Sequence, residues 1–207
     1  MNKYSNGFIT IISAPSGAGK TSICNKIIEY GKGHIVFSRS CTTRKRRPNE
    51  NPEAYYFISE EEFKKNINEG KFIEWAKVHG NYYGTLKKTI DDLLKNNKIV
   101  LLDIDVQGAQ QIRQIYPDSL FIFIMPPSLK ILKERLVKRG TDNLDTILTR
   151  LKNAKKELQY LKYYDYIVVN EDLEEASKDV FEIIKSFSYK KINYKKEFLN
   201  KIKQEEI

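Results

Sequence analysis

Continuous apolar runs, which are typical of strands covered on both faces, alternate with helical patterns along most of the chain. The runs lie at 8–12, 99–105, 120–125 and 166–169, and the run at 99–105 ends in carboxylates. Apolar residues at helical spacing follow them at 22–28, 86–94, 112–115, 129–136, 147–161 and 173–187. Since regular alternation of strands and helices is the signature of a parallel sheet covered by helices, the pattern predicts an α/β fold.

Weaker patterns between 36 and 97 predict a small insertion that contains strands. They indicate a short strand at 36–37, a basic polar stretch at 38–52, strands at 55–58 and 72–78, and a turn at 80–84. Ser59, with Glu62 three residues later, has the spacing of a capping box and predicts a helix start.

The predicted organisation has four parts. Residues 1–37 and 98–190 form the core, and 38–97 form the insertion and its return helix. The basic, polar segment 138–150 is expected to be a loop that acts as a lid within the core. Residues 191–207 form a C-terminal tail, for which a terminal helix, a frayed end and a binding arm all stay open.

Composition narrows the class of protein. Of 207 residues, 41% are hydrophobic and 30% charged, as in a soluble globular protein. No apolar run approaches the roughly 18 residues of a membrane span. The N-terminus leads straight into the first strand without a signal peptide, and two cysteines at no metal-like spacing favour the cytoplasm. The net charge of +9 suits anionic ligands, either nucleotides or nucleic acid, although a Lys-rich solvated surface explains much of it.

The sequence SAPSGAGKT joins the first strand to the first helix, which is the context of a phosphate-binding P-loop. Its backbone N–H groups and the helix N-terminus favour phosphate, Lys20 can reach the β- and γ-phosphates, and Thr21 can ligate Mg²⁺. Ala14 stands where the usual pattern has glycine, which is tolerable if its φ is negative. The expected ATP-binding residues are Ala14, Pro15, Ser16, Gly17, Ala18, Gly19, Lys20 and Thr21.

The basic sequence Arg44-Lys45-Arg46-Arg47 is a candidate anion clamp, because arginine forks bind phosphate oxygens bidentately. Tyr55 and Tyr83 can add neutral hydroxyl donors. A solvated basic loop and a nucleic-acid patch remain alternatives for the cations, as does core packing for each tyrosine.

Glu74 lies between large apolar neighbours in the predicted strand 72–78. A carboxylate can accept two parallel hydrogen bonds from the ring N–H and exocyclic amine of guanine, which adenine does not offer together. The alternative is that Glu74 points to water on the polar face of its strand.

Acidic and basic side chains also follow the later strands. Asp103 and Asp105 end the run at 99–105 on one face, where acids of P-loop enzymes hold Mg²⁺ waters or a substrate group. Arg135, Arg139 and Arg150 flank the predicted lid, and arginines carried by a lid stabilise the charge of phosphoryl transfer. For each arginine taken singly, the alternative is a helix-surface position.

From about residue 7 to 187 the chain resembles the guanylate kinase family. The resemblance rests on SAPSGAGKT, SCTTRKRRP with Glu50 beyond it, AYYF, KFIEWAKVHGNYYGT, LLDIDVQGA, RLVKRG and VVNEDL, in this order. It implies a P-loop NTPase-type core, a GMP-binding insertion and a lid. Three departures are Ala14, Thr85 in place of serine, and a segment between Glu50 and Tyr55 that is a residue shorter.

The resemblance also implies roles for individual residues. Ser40, Glu74 and Thr85 would contact guanine, and Asp103 would lie beside the acceptor nucleotide. The residues that would hold the GMP phosphate are Arg44, Arg47, Tyr55 and Tyr83. Lid and donor-site arginines would be Arg135, Arg139 and Arg150, and Asn170 would lie near the ATP adenine.

The implied reaction is direct in-line transfer from ATP to GMP, with Mg²⁺ and with dGMP also accepted, by a monomer or homodimer that needs neither nucleic acid nor membrane. One alternative is a non-catalytic binding module of the same fold, against which the intact Gly19-Lys20-Thr21 and the arginines argue. A second is a P-loop kinase for another nucleotide or metabolite, against which Glu74 and Ser40 argue. The third is a nucleic-acid binder attracted by the +9 charge.

Overall fold

Two sheets organise the chain. The computed structural model describes residues 5–47, 50–78, 80–140, 143–190 and 194–204. Its strands are β1 (Ile9–Ser13), β2 (Ile35–Phe37), β3 (Cys41–Thr42), β4 (Tyr56–Phe57), β5 (Phe72–Val78), β6 (Asn81–Leu86), β7 (Ile99–Asp103), β8 (Leu120–Met125) and β9 (Tyr166–Val169). Its helices are α1 (Lys20–Gly31), α2 (Glu60–Asn68), α3 (Lys87–Lys95), α4 (Val106–Ile115), α5 (Leu129–Arg139), α6 (Leu144–Glu157), α7 (Leu173–Phe187) and α8 (Lys196–Gln204), with a 3₁₀ helix at Leu158–Tyr163.

The larger sheet is parallel and has the strand order β2-β7-β1-β8-β9. Its central strands are apolar and buried because helices cover both faces: α1 and α7 on one side, α3 and α4 on the other. The α/β prediction is therefore confirmed. The strands predicted at 120–125 and 166–169 are confirmed with their bounds, and so is the helix at 173–187.

The smaller sheet is mixed and has the order β4-β3-β6-β5. The strand predicted at 72–78 and the Ser59 cap are confirmed, since Ser59 Oγ accepts a 3.0 Å hydrogen bond from the Glu62 N–H. The turn predicted at 80–84 is wrong, because Asn81 begins β6. Pairing with β5 on one side and β3 on the other outweighs the polar, Gly-containing composition of β6. The two-residue strand β3 lies inside the basic, polar stretch 38–52, for which no strand was predicted.

Two boundaries near the predicted site also differ from expectation. The strand expected over 99–105 ends at Asp103, because Asp105 turns to cap α4 and accepts hydrogen bonds from the N–H groups of Gln107 and Gly108. The loop expected over 138–150 is largely helical. Helix α5 runs to Arg139, and α6 begins at Leu144 after the cap residue Asn143. Apolar packing of Ile147 against α5 stabilises this arrangement.

Some predictions fall on residues outside those described: Pro48 and His79 in the family motifs, residues 141–142 of the lid, residues 1–4 of the core, and 191–193 and 205–207 of the tail. The described part of the tail forms α8. Cys24 and Cys41 are free and buried. Within the described ranges, no helix combines the length and apolarity needed to cross a membrane.

Candidate active site

The loop between β1 and α1 has the backbone geometry of a phosphate cradle. Gly17 and Gly19 both have φ of +94°, which L side chains rarely adopt. A Cβ at Gly19 would lie 2.2 Å from Nδ2 of Asn170, so glycine is also required there by close approach. Ala14 is not among the described residues with positive φ, and its methyl group packs against the core, so alanine is tolerated at this position.

Lys20, at the start of α1, points along the carboxyl edge of the sheet. Its ammonium forms an ion pair with Asp103 at the end of β7 and donates a 3.3 Å hydrogen bond to the Ile104 carbonyl. Burial lowers the pKa of Lys20, but the charge and hydrogen bond of Asp103 outweigh that effect, and the pKa lies above its usual value. The side chain is therefore a fixed cation beside the P-loop.

Three of the predicted donor-site residues contact the P-loop or one another. The Asn170 amide is buried and donates a 2.7 Å hydrogen bond to the Ala18 carbonyl, which ties β9 to the loop. Arg135 donates to the Asn170 carbonyl at 2.9 Å, and Arg150 donates to the Ser16 hydroxyl. Arg139, the last residue of α5, is exposed and is not brought to the loop.

Glu74 is buried, with 3% of its surface exposed, so the alternative that it points to water is wrong. Its neighbour Trp75 is 38% exposed, so in this strand a charged side chain is buried and the adjacent aromatic one faces solvent, the reverse of the usual arrangement. The Thr85 hydroxyl donates a 2.6 Å hydrogen bond to Glu74 Oε1, and Ser40 Oγ lies 3.3 Å from Thr85 Oγ1. Burial raises the pKa of Glu74 to about 7. The three residues predicted to contact guanine thus form one hydrogen-bonded row.

The basic loop is organised by an acid. Glu50 receives two hydrogen bonds from the Arg44 guanidinium, at 2.6 and 3.0 Å, and a third at 2.9 Å from the Arg47 backbone. The Arg44 side chain also lies over the Tyr55 ring, at 5.6 Å, and contacts Tyr83. The Arg47 side chain is exposed. The Arg44 fork is therefore held in place, whereas the other cations of the loop face solvent.

One cavity collects these groups between the two sheets. Among the predicted site residues, Lys20, Ser40, Tyr55, Glu74, Tyr83 and Asp103 line it, and Asp105 completes its acidic wall. Asp103 ends β7 of the parallel sheet, Lys20 begins helix α1, which packs on that sheet, and the other four belong to the insertion. The cavity joins a phosphate cradle to a buried carboxylate.

The sequence interpretation missed several residues of the site. Glu50 was noted as part of a motif, but not as the partner of Arg44. Gly108 and Gln111, which lie three residues apart on one face of α4, contact β5. Glu157 interacts with Lys20 and Asp105, and Tyr164 with Ser13 and Lys20. Burial raises the pKa of Glu157 to about 7 and that of Tyr164 to about 12. Helical spacing places Gly108 and Gln111 together, but no sequence signal shows which strand they meet.

A P-loop at the carboxyl edge of a parallel sheet, with a second sheet that closes a polar cavity beside its lysine, defines a P-loop nucleotide kinase. The family model for guanylate kinase matches residues 7–187. A guanylate kinase of Thermotoga maritima is 48% identical over 181 residues, which are 87% of each chain. One from Helicobacter pylori is 46% identical over 193 residues, covering 89% of this chain and 93% of that one.

A solved structure supports the same assignment. The crystal structure of guanylate kinase from Anaplasma phagocytophilum superposes with a TM-score of 0.75 at 35% identity, covering 92% of this chain and 90% of that chain. The chain therefore belongs to the guanylate kinase family.

Proposed function

We propose that this chain transfers the γ-phosphoryl group of ATP to GMP, giving ADP and GDP, and that it also accepts dGMP. Membership of the guanylate kinase family supports the reaction. The observation that carries the choice of base is the buried Glu74 carboxylate, which lines the same cavity as the P-loop lysine. This position supports assigning the acceptor base to the part of the cavity beside the phosphate cradle.

Glu74, Thr85 and Ser40 are assigned to the guanine ring. The ionised carboxylate accepts the ring N–H and the exocyclic amine, while the two hydroxyls can donate to or accept from the remaining base edge. Adenine would leave the buried carboxylate without its second donor, which is a costly arrangement in a water-excluded pocket. Selectivity for guanine over adenine follows from that cost.

ATP is assigned to the P-loop, residues 14–21, with Asn170 near its adenine and Lys20 on its β- and γ-phosphates. The positive φ of Gly17 and Gly19 supports this assignment, because these conformations turn backbone N–H groups toward a phosphate. Within the described residues, no three His, Cys, Asp or Glu side chains cluster to hold a metal ion. Mg²⁺ would therefore rest on the exposed Thr21 hydroxyl, phosphate oxygens and water, and would neutralise phosphate charge.

The cations are assigned to charge neutralisation in a direct in-line transfer. Arg44 and Arg47, with the Tyr55 and Tyr83 hydroxyls, hold the GMP phosphate, and Asp103 lies beside the acceptor. The remaining arginines, Arg135, Arg139 and Arg150, stabilise the transferring group. Two phosphates that repel each other are thereby positioned without covalent chemistry by the protein.

The domain roles complete the proposal. Residues 38–97 would close over GMP and the segment 138–150 over ATP, which excludes the water that would hydrolyse ATP. The Arg150–Ser16 contact supports the lid assignment, because it joins this segment to the P-loop. A cytoplasmic location, a monomer or homodimer, and independence of nucleic acid and membrane stay predictions.

The test is a coupled ADP-release assay with ATP and Mg²⁺ against GMP, dGMP, AMP, CMP and UMP. We expect strong activity with GMP, clear activity with dGMP and little with AMP. Glu74→Gln should reduce the preference for GMP over AMP by about tenfold to hundredfold, because the second guanine donor loses its acceptor. The matched control is Glu61→Gln, an exposed position on α2.

Two results would contradict the proposal. Activity with another monophosphate in place of GMP would overturn the base assignment and leave the fold intact. If none of the five monophosphates is phosphorylated by a folded protein that still binds GMP, the non-catalytic binding module is favoured instead.

A further inference from the structure

The outer edge of the smaller sheet is paired by a side chain instead of a strand. Strand β5 is the last strand in the order β4-β3-β6-β5, so one of its edges has no strand partner among the described residues. At Trp75 this edge meets Gln111 of α4. The Gln111 carboxamide accepts a 3.1 Å hydrogen bond from the Trp75 N–H and donates a 2.7 Å hydrogen bond to the Trp75 carbonyl.

A primary carboxamide carries the same donor and acceptor as a peptide group. The two hydrogen bonds of Gln111 therefore reproduce one step of a strand ladder, and they fix both the distance and the register between β5 and α4. The residue that is held in this way directly follows Glu74.

The same face of α4 makes room for the Glu74 carboxylate. Gly108, one turn before Gln111, is buried, and a Cβ at this position would lie 2.5 Å from Glu74 Oε2. The other oxygen, Oε1, accepts the hydrogen bond from Thr85. The carboxylate thus sits between the Thr85 hydroxyl on its own sheet and the bare backbone of α4.

We propose that Gln111 and Gly108 are positioning residues for base recognition: Gln111 fixes the backbone beside Glu74, and Gly108 leaves the space its carboxylate occupies. The proposal rests on the proposed function, because it assumes that Glu74 reads the base. According to this proposal, the Glu74 carboxylate is positioned by helix α4 of the core as well as by the insertion to which Glu74 belongs.

Removing the two hydrogen bonds of Gln111 should weaken GMP recognition and leave the ATP site unaffected. In Gln111→Met the side chain keeps similar length but loses both hydrogen bonds, so the β5 edge is freed to hydrate and shift. We expect the KM for GMP to rise about tenfold, with the KM for ATP and kcat at saturating GMP within about twofold of wild type. Gln111→Glu keeps the acceptor for the Trp75 N–H but sets a carboxylate against the Trp75 carbonyl, and should raise the KM for GMP at least as much.

Gly108→Ala tests the second half of the proposal without weakening the helix. Alanine is favoured over glycine within a helix, which offsets part of the cost of crowding Glu74, so the melting temperature should change little. The new methyl group displaces Glu74 Oε2, and the KM for GMP should rise about tenfold while the KM for ATP is unchanged. The matched control is Gln114→Ala, an exposed position on the same helix. It should leave kcat, the KM for GMP and the KM for ATP at wild-type values.

A double-mutant cycle separates positioning from general loosening of the structure. If Gln111 acts through Glu74, combining Gln111→Met with Glu74→Gln should raise the KM for GMP by far less than the product of the single effects. Multiplicative effects, or an equal rise in the KM for ATP, would overturn the proposal and leave Gln111 a structural residue. The proposal would also be overturned if Gln111→Met and Gly108→Ala both kept the wild-type KM for GMP.

The proposed function fails by a different result. If Glu74→Gln alone leaves the preference for GMP over AMP unchanged, the base-reading role of Glu74 is wrong, and the positioning role falls with it. If Glu74→Gln lowers that preference but the α4 variants leave GMP kinetics unchanged, the proposed function stands and this inference is wrong.

Discussion

The two sheets bury different chemistry. The parallel sheet has a mainly apolar interior, in which side chains such as Ile11, Leu101 and Leu102 have no exposed surface and the buried polar side chains include the hydroxyls of Thr10 and Ser13. The smaller sheet buries Thr42, Glu74 and Thr85 along with its apolar residues. Its strands β3 and β4 are only two residues long, and one edge is completed by a side chain of α4.

This difference separates two tasks. An apolar, close-packed sheet holds the P-loop rigid at its carboxyl edge, because interiors of this density resist rearrangement. A polar interior can tell one base from another, but it is stable only while each buried polar atom has a partner. Under the proposed function, base specificity is carried by the sheet whose interior is more polar, and the predictions below ask whether stability and specificity can be changed independently.

The largest effect on activity is expected at the end of the cavity that the P-loop forms. Lys20→Ala removes a buried cation from the phosphate cradle, and kcat should fall by about 10³-fold, near the upper end for loss of a single charge-stabilising donor. GMP affinity, measured by equilibrium titration, should change little, because the guanine contacts lie on the other sheet.

The control for Lys20→Ala is Lys26→Ala on the same helix. Lys26 pairs with Glu174 on α7, away from the cavity, so its loss should leave kcat within about threefold of wild type. A Lys20→Ala enzyme that keeps most of its turnover would contradict the assignment of residues 14–21 to ATP.

A pair of substitutions tests the contrast between the sheets directly. Leu101→Ala empties part of the apolar interior on the face covered by α1 and α7, and should lower the free energy of unfolding by about 3 kcal/mol, with the KM for GMP unchanged. Thr85→Val has nearly the same shape as wild type but removes the hydrogen bond to Glu74, so it should raise the KM for GMP about tenfold. Guanidinium unfolding and initial-rate kinetics on both variants provide the comparison.

The pair is informative because each variant controls for the other. If Leu101→Ala raised the KM for GMP as much as Thr85→Val did, global stability would limit binding, and the separation of tasks between the sheets would be wrong.

The parallel sheet was the easier region to predict from sequence. Long apolar runs mark β7, β8 and β9 because both faces of these strands are covered, and the P-loop follows from glycine spacing after an apolar strand. In the smaller sheet, local signals were weaker. Strand β6 contains Gly84 and polar residues, and its pairing with two neighbours, which sequence periodicity does not show, decides its conformation.

The candidate site divides in the same way. Residue types and spacing identified Lys20 and the basic loop, but left the environment of Glu74 open, because a glutamate between apolar residues is usually exposed. Its burial depends on Gly108 and Thr85, which approach from separate parts of the chain. Likewise, Asp105 was expected at the strand end and instead caps α4, since the first turn of a helix competes for a nearby carboxylate.

The smallest effect concerns the proton on Glu74. Its pKa, raised by burial from 4.5 to about 7, means that the folded protein retains a proton that the unfolded chain releases above pH 4.5. Stability contributed by this group is therefore complete below pH 4.5 and is lost as the pH rises through 7. Glu74→Gln, which still offers Thr85 an acceptor, should stabilise the protein by about 2 kcal/mol more at pH 8 than at pH 5.

Recognition of GMP should follow the opposite trend, because the ionised carboxylate is the form that accepts both guanine donors. In the wild type, the KM for GMP should rise as the pH falls below about 7, and more steeply than in Glu74→Gln, in which the GMP phosphate, with a pKa of about 6, still titrates. Parallel unfolding and kinetic titrations from pH 5 to 8 check both trends. A wild-type profile that matches the Glu74→Gln profile in both measurements would mean that Glu74 does not titrate in this range, and the cost of burying its charge would then have to be offset by groups other than Thr85.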